Sequence, residues 1–182
     1  LKPLNLFWCN CPIMGQSPKR EKTTMKRILC NTDNMGGLVA ISAIPSNVFN
    51  RIKTDFTTGK KYASVSSLDD VIELPVVNDS SYSFEETQTL EDGGDTFSVS
   101  IQGVIPRNDS ENLIRQDLER GEWLVLHMDK NGACFLSGTK DVPLFFASRR
   151  LSGSSPSSMN GNAFIFSGRI PAASVEVETD II

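Results

Sequence analysis

An asparagine followed by a glycine, Asn131-Gly132, constrains this chain more than any other feature. The dipeptide accepts the positive φ angles of a tight turn, and two runs of apolar and β-favouring residues, EWLVLHMDK and ACFLSGT, flank it. A two-residue loop sets Lys130 opposite Ala133 and fixes the register on either side. Leu124, Leu126 and Met128 then share a face with Phe135, Ser137 and Thr139, while Trp123, Val125, His127 and Asp129 share the other with Cys134, Leu136 and Gly138. Both faces carry large apolar groups, so this hairpin needs two covers. The expectation is that Leu124, Leu126, Met128 and Phe135 face a core, and that Trp123, Val125, His127 and Leu136 face a second surface, either a helix or another subunit.

The rest of the chain supplies more strands than helices. Thr96 to Gln102 alternates cleanly, with Phe97, Val99 and Ile101 inward. Strands are also expected at RILC from Arg27, at Leu38 to Ile44, Tyr62 to Val65, Val71 to Val77, Ser81 to Leu90, Val142 to Leu151, Ala163 to Ile170 and Val175 to Val177, with turns at Gly36-Gly37, Gly59 and Asp92 to Asp95. Pro75 places its strand at an edge or a bulge, because it cannot donate to a ladder. Ser46 to Asp55 reads as a short helical segment with Val48, Phe49 and Ile52 inward. The strong helix is Asp109 to Arg120, with Asn108 as N-cap, Glu111 as the reciprocal carboxylate, Leu113, Ile114 and Leu118 as its apolar stripe, and Gly121 behind it. The fold class expected is mainly β, an antiparallel sandwich or barrel with one flanking helix over residues 109–120. Its domain spans residues 25–182, preceded by an extended arm over residues 1–24 that carries a basic, proline-containing run.

Charge and cysteines narrow the function. A net charge of −4 argues against sequence-independent grip on nucleic acid, which needs a basic surface for phosphate. The four cysteines include Cys9 and Cys11, a spacing that suits neither a disulfide framework nor a structural zinc pair, so reduced thiols and no metal are expected. Asp92-Gly93-Gly94-Asp95 lacks the ligand series of a calcium loop. The opening run LKPLNLFWCNC is broken by Pro3 and Asn5 and sets Trp8 before Cys9, which fits neither a leader peptide nor a lipoprotein box, and no stretch reaches the length of a membrane span. A soluble, intracellular chain without membrane partner or cofactor is expected.

His127 is the single histidine, and the two-residue-loop register places it diagonal to Cys134 on one face, the one nucleophile–base arrangement that the sequence offers. A thiol inside a hairpin among Trp123, Val125 and Leu136 has its pKa raised rather than lowered, so no catalytic role is expected. Glu85 and Glu86, adjacent in a strand, point to opposite faces and cannot flank one bond. No phosphate loop or nucleophile elbow occurs.

Two paired hairpin units, one capped helix ahead of the central hairpin, and the long loop SGSSPSSMNGN between late strands resemble the tail-tube fold of bacteriophages. The segment Trp123 to Pro171, with DKNGACFLSGTKDVPLFF and NGNAFIFSGRIP, is similar to small tail-associated proteins of phages that infect Bacteroidetes. The resemblance covers about the last third of the chain and rests on hairpin and strand motifs. It implies a virion protein, assembled in the host cytoplasm, that forms homo-oligomeric rings, hexameric among the options. Such rings would meet other tail proteins and let double-stranded DNA pass without sequence-specific binding. The expected subunit contacts are Phe7 and Trp8 on the arm, Trp123, Val125, His127 and Leu136 on the hairpin, and Ser154, Ser155, Pro156 and Met159 on the long loop. The N-terminal extension departs from a minimal tube subunit and leaves room for a terminator, adaptor or baseplate role. The competing class is a monomeric β-sandwich module that holds a glycan or peptide in its loops.

Overall fold

A computed structural model of the chain describes residues 35–74, 76, 82–106, 111–151 and 161–181. Among the described residues, eleven strands and one helix follow in the order β1 (Leu38–Pro45), β2 (Phe49–Thr54), β3 (Lys61–Val65), β4 (Ile72–Leu74), β5 (Ser83–Glu91), β6 (Gly94–Pro106), α1 (Glu111–Glu119), β7 (Glu122–Asp129), β8 (Cys134–Ser137), β9 (Leu144–Leu151), β10 (Gly161–Ile170) and β11 (Val175–Glu176). All pairings between strands are antiparallel. The architecture is therefore mainly β with one short helix, as expected.

Nine strands form one sheet, whose main path runs β11-β8-β7-β9-β10-β6-β5, with β1 and β4 branching from β7; β2 and β3 form a separate pair. The path bends at β7 and β9, which share only the pairs Glu122↔Phe145 and Trp123↔Leu144. One layer is thus β9-β10-β6-β5 and the other is β4-β1-β7-β8-β11. Ile41, Ala43 and Val125 from the second layer meet Val99, Ile101, Phe164 and Phe166 from the first in the main core. The ends of the path, β11 and β5, do not pair, so the sandwich is open and the barrel alternative is not realised.

The far face of β7 has a cover of its own. Leu124, Leu126, Cys134 and Leu136 pack with Ile44 of β1, Phe49 of β2, Ala63 of β3 and Val177, forming a second core. The β2–β3 pair and the C-terminal segment thus make a third layer. The strand β2 replaces the helical segment expected at Ser46 to Asp55: residues 46–48 form a turn, closed by Val48 N–H donating to the Pro45 carbonyl at 3.0 Å, and Phe49 to Thr54 run extended against β3. So short a segment cannot hold a helix by itself, whereas a strand gains a ladder and buries Phe49.

The hairpin β7–β8 exists, but its register differs by one residue from the expectation. Leu126 pairs with Leu136, His127 with Phe135 and Met128 with Cys134. The loop has three residues rather than two. Asp129 Oδ1 accepts from the N–H of Asn131 at 2.9 Å and from that of Ala133 at 2.8 Å, while Gly132 N–H donates to the Asp129 carbonyl at 3.2 Å. Gly132 takes φ +85°, the left-handed conformation that completes such a loop. The aspartate thus organises the turn that the Asn-Gly pair alone does not specify. The one-residue slip moves Cys134 and Leu136 to the Leu124 face and brings Phe135 and Ser137 to the Val125 face.

The helix α1 is Glu111–Glu119, ending one residue before the expected Arg120, and residues 107–110, with the expected cap Asn108 and the expected first turn, lie outside the described residues. Nine residues do not make a stable helix alone in water, so docking holds this one. Leu118 is fully buried in the main core, and the Trp123 indole N–H donates to the Leu118 carbonyl at 2.9 Å, satisfying an acceptor that the helix C-terminus leaves open. Gly121 permits this: a Cβ there would sit 2.4 Å from the Trp123 ring. The expected strands at Leu38, Tyr62, Ser81, Val142, Ala163 and Val175 all have counterparts, and that at Val71 shortens to β4. The strand expected from Arg27 lies outside the described residues.

Candidate functional site

The ten residues expected at subunit contacts divide in two. Phe7, Trp8, Ser154, Ser155, Pro156 and Met159 lie outside the described residues. Trp123, Val125, His127 and Leu136 are described, and each is buried within the chain, with exposures of 4, 0, 1 and 2%. Trp123 and Val125 pack against α1, β9 and β10 in the main core, and Leu136 packs in the second. These four cannot touch another subunit, so the expectation that a neighbour covers their face is corrected. The hairpin does need two covers, and the chain itself provides both.

His127 lies between aromatic rings, with its centroid 4.3 Å from that of Phe84 on β5 and 5.9 Å from that of Phe135 on β8. Neither ring nitrogen makes a hydrogen bond of normal geometry. Burial pushes its pKa down to about 4, outweighing a nearby Val125 backbone group and the Glu86 and Asp129 carboxylates, which favour the charged form. Glu86, also on β5, holds the C-terminal segment: its Oε2 accepts from Ser174 N–H at 2.8 Å and from Ser174 Oγ at 2.5 Å, and Ser174 Oγ lies 2.7 Å from Ser137 Oγ. Sequence reasoning excluded Glu86 from a catalytic carboxylate pair and found no partner for it. Only the fold brings Ser174 beside it.

The Cys134–His127 pair is not assembled. The register slip puts the thiol on the opposite face of the sheet, in the second core, where burial raises its pKa to about 11. A thiol in that state is a poor nucleophile. Among the described residues no cluster of histidine, cysteine and carboxylate side chains has the form of a metal site, and no helix is long and apolar enough to cross a membrane.

The outward surface of β9-β10-β6-β5 is the more informative region. Side chains at Phe145, Ala147 and Arg149 on β9 stand beside Ser167, Ile165 and Ala163 on β10, followed by Ser100, Gln102 and Val104 on β6. Phe145 is 59% exposed. Where the small side chains Ala147 and Ala163 meet, a shallow depression of about 250 Å³ opens, bordered by Gln102, Arg149 and Ile165. At the other side of this layer, β5 pairs with β6 from Ser83 to Glu91, and its outer edge pairs with no described strand. The β5–β6 hairpin ends in an acidic tip of Glu91, Asp92 and Asp95, where Leu90 is 81% exposed. Arg169 bonds Glu91 and donates to Thr96 Oγ1 at 3.1 Å, bracing this end to β10.

A second concavity, of about 350 Å³, lies between the β2–β3 and β7–β8 loops. It is mostly polar, lined by Lys60, Lys61, Gly132, Glu176 and Glu178, with the Lys60–Glu178 ion pair at 3.1 Å on its wall. Neither concavity was visible in the sequence, since each is assembled from segments far apart in the chain. Compared with protein-family models, with curated proteins and with solved structures, the chain matches none of them.

Proposed function

We propose that this chain is a structural subunit that assembles with copies of itself into rings, as the resemblance to phage tail proteins implies, in a tail tube or as an adaptor or terminator. The observation that supports the reading is that one sandwich layer, β9-β10-β6-β5, has both an outward face with the exposed Phe145 beside the half-buried Ile165 and a nine-residue edge strand without a described partner. An unpaired edge of that length is a template for another chain, and monomers usually blunt or cover it. The net charge of −4 suits a conduit that lets DNA slide past without gripping its phosphates.

The test is mass measurement by light scattering across a concentration series from micromolar upward, with electron microscopy of the concentrated sample. Rings, tubes or a discrete oligomer are expected. A monomer throughout refutes the reading. One observation favours the alternative of a monomeric module for a glycan or peptide, the polar concavity between the β2–β3 and β7–β8 loops. Monomeric behaviour together with glycan or peptide binding that Lys61→Ala weakens would favour it.

A further inference from the structure

The self-assembly reading leaves open which surfaces meet, and the β9-β10-β6-β5 layer carries two that complement each other, one at its end and one on its outward face. The first is the tip of the β5–β6 hairpin, where Leu90 projects with 81% of its surface exposed beside Glu91, Asp92 and Asp95. The second is the depression at Ala147 and Ala163, apolar at its centre and bordered by the exposed Arg149. One offers an isolated apolar knob in a negative field; the other offers a small apolar hollow beside a positive charge. An exposed leucine gains by leaving water, and opposite charges around it select the orientation of approach.

The two surfaces cannot serve each other within one chain. The tip begins at Gly94, the first residue of β6, and the depression borders Gln102 on the same strand. At the rise of a strand these positions are roughly 27 Å apart. The bracing of the tip by Arg169 keeps Leu90 out on a stiff arm. We propose that the β5–β6 tip of one copy seats Leu90 in the Ala147–Ala163 depression of a second copy, with Asp92 beside Arg149. This rests on the self-assembly reading and names its contact. Leu90 pairs with Asp95 and so shares the inward side of the layer with Phe97 and Val99, at the exposed end of the hairpin, whereas the depression opens on the outward side. A knob and a hollow at such different places make a heterologous contact, which propagates from copy to copy and closes into a ring when the rotation allows.

The experiment compares the full chain with Leu90→Asp, Arg149→Glu, Asp92→Lys and the Arg149→Glu/Asp92→Lys double variant, by sedimentation over a concentration series. Circular dichroism and thermal melting check that each variant is folded; all these sites are exposed. Leu90→Asp is expected to weaken association at least tenfold, as is each single charge reversal, while the double reversal recovers most of the loss. Association unchanged in Leu90→Asp, or no recovery in the double variant, overturns the contact while leaving self-assembly standing. A wild-type chain that stays monomeric removes both.

Discussion

His127 is held neutral in the folded chain, and that makes stability depend on pH in a way that can be isolated. Its pKa falls from 6.5 to about 4 because the ring is buried between Phe84 and Phe135. The unfolded chain takes up a proton as pH drops through 6.5, and the folded chain does not until near 4, so this stabilisation is complete above 6.5 and is lost between the two values. A shift of that size corresponds to roughly 3 kcal/mol, about half of it gone by the midpoint of the window. Against the 5–15 kcal/mol usual for a domain, that is a large fraction.

The measurement is urea unfolding of the wild type and of His127→Leu at a series of pH values from neutral to about 4. Every other group is common to the two proteins and largely cancels in the difference. The wild type should lose roughly 3 kcal/mol relative to the variant over that range, with the variant gaining relative ground steadily as pH falls. Parallel stability profiles would show that the ring is solvated or charged in the folded state, and would refute the reasoning from burial.

Two further substitutions test how the layers are tied together. Gly121→Ala drives a methyl into the Trp123 ring and should cost about 1–3 kcal/mol by chemical denaturation, with altered tryptophan fluorescence reporting the shifted indole. Glu86→Gln keeps the volume but replaces the charged acceptor of the Ser174 bonds, and a loss of about 1–2 kcal/mol is expected; amide exchange should accelerate at Val175 and Glu176 first, and uniform acceleration would argue against a local latch.

The strands that sequence reads well are those whose alternation matches one buried face. Phe97, Val99 and Ile101 on β6 face inward because the other side of that strand meets solvent, and the pattern records that directly. The hairpin at Asn131-Gly132 is legible as a hairpin and misleading as a register, since Asp129 binds the Asn131 and Ala133 amides and adds a residue to the loop. That carboxylate competes with the dipeptide for control of the turn, and strand propensities weigh the two alike. Ser46 to Asp55 misleads for a different reason: its apolar spacing fits a helix, but the ladder that decides its conformation comes from β3, beyond the window that periodicity inspects.

The same limit governs the function. Apolar residues on both faces of β7 state a demand for two covers, and the sequence near β7 does not say who meets it. Ile44, Phe49, Ala63 and Val177 do so on one side and Leu118, Phe164 and Phe166 on the other, all within the chain. An apolar two-faced strand is therefore equally the mark of a middle layer and of an interface, and only counting the covering residues separates them. By that criterion the interface signal moves from Trp123, which is satisfied, to Leu90 and Phe145, whose strands look ordinary in sequence and whose side chains stay 81 and 59% exposed. If self-assembly occurs, it begins where the described layers end, at the outward face of β9-β10-β6-β5, at the β5–β6 tip and at the edge of β5 that no described strand pairs.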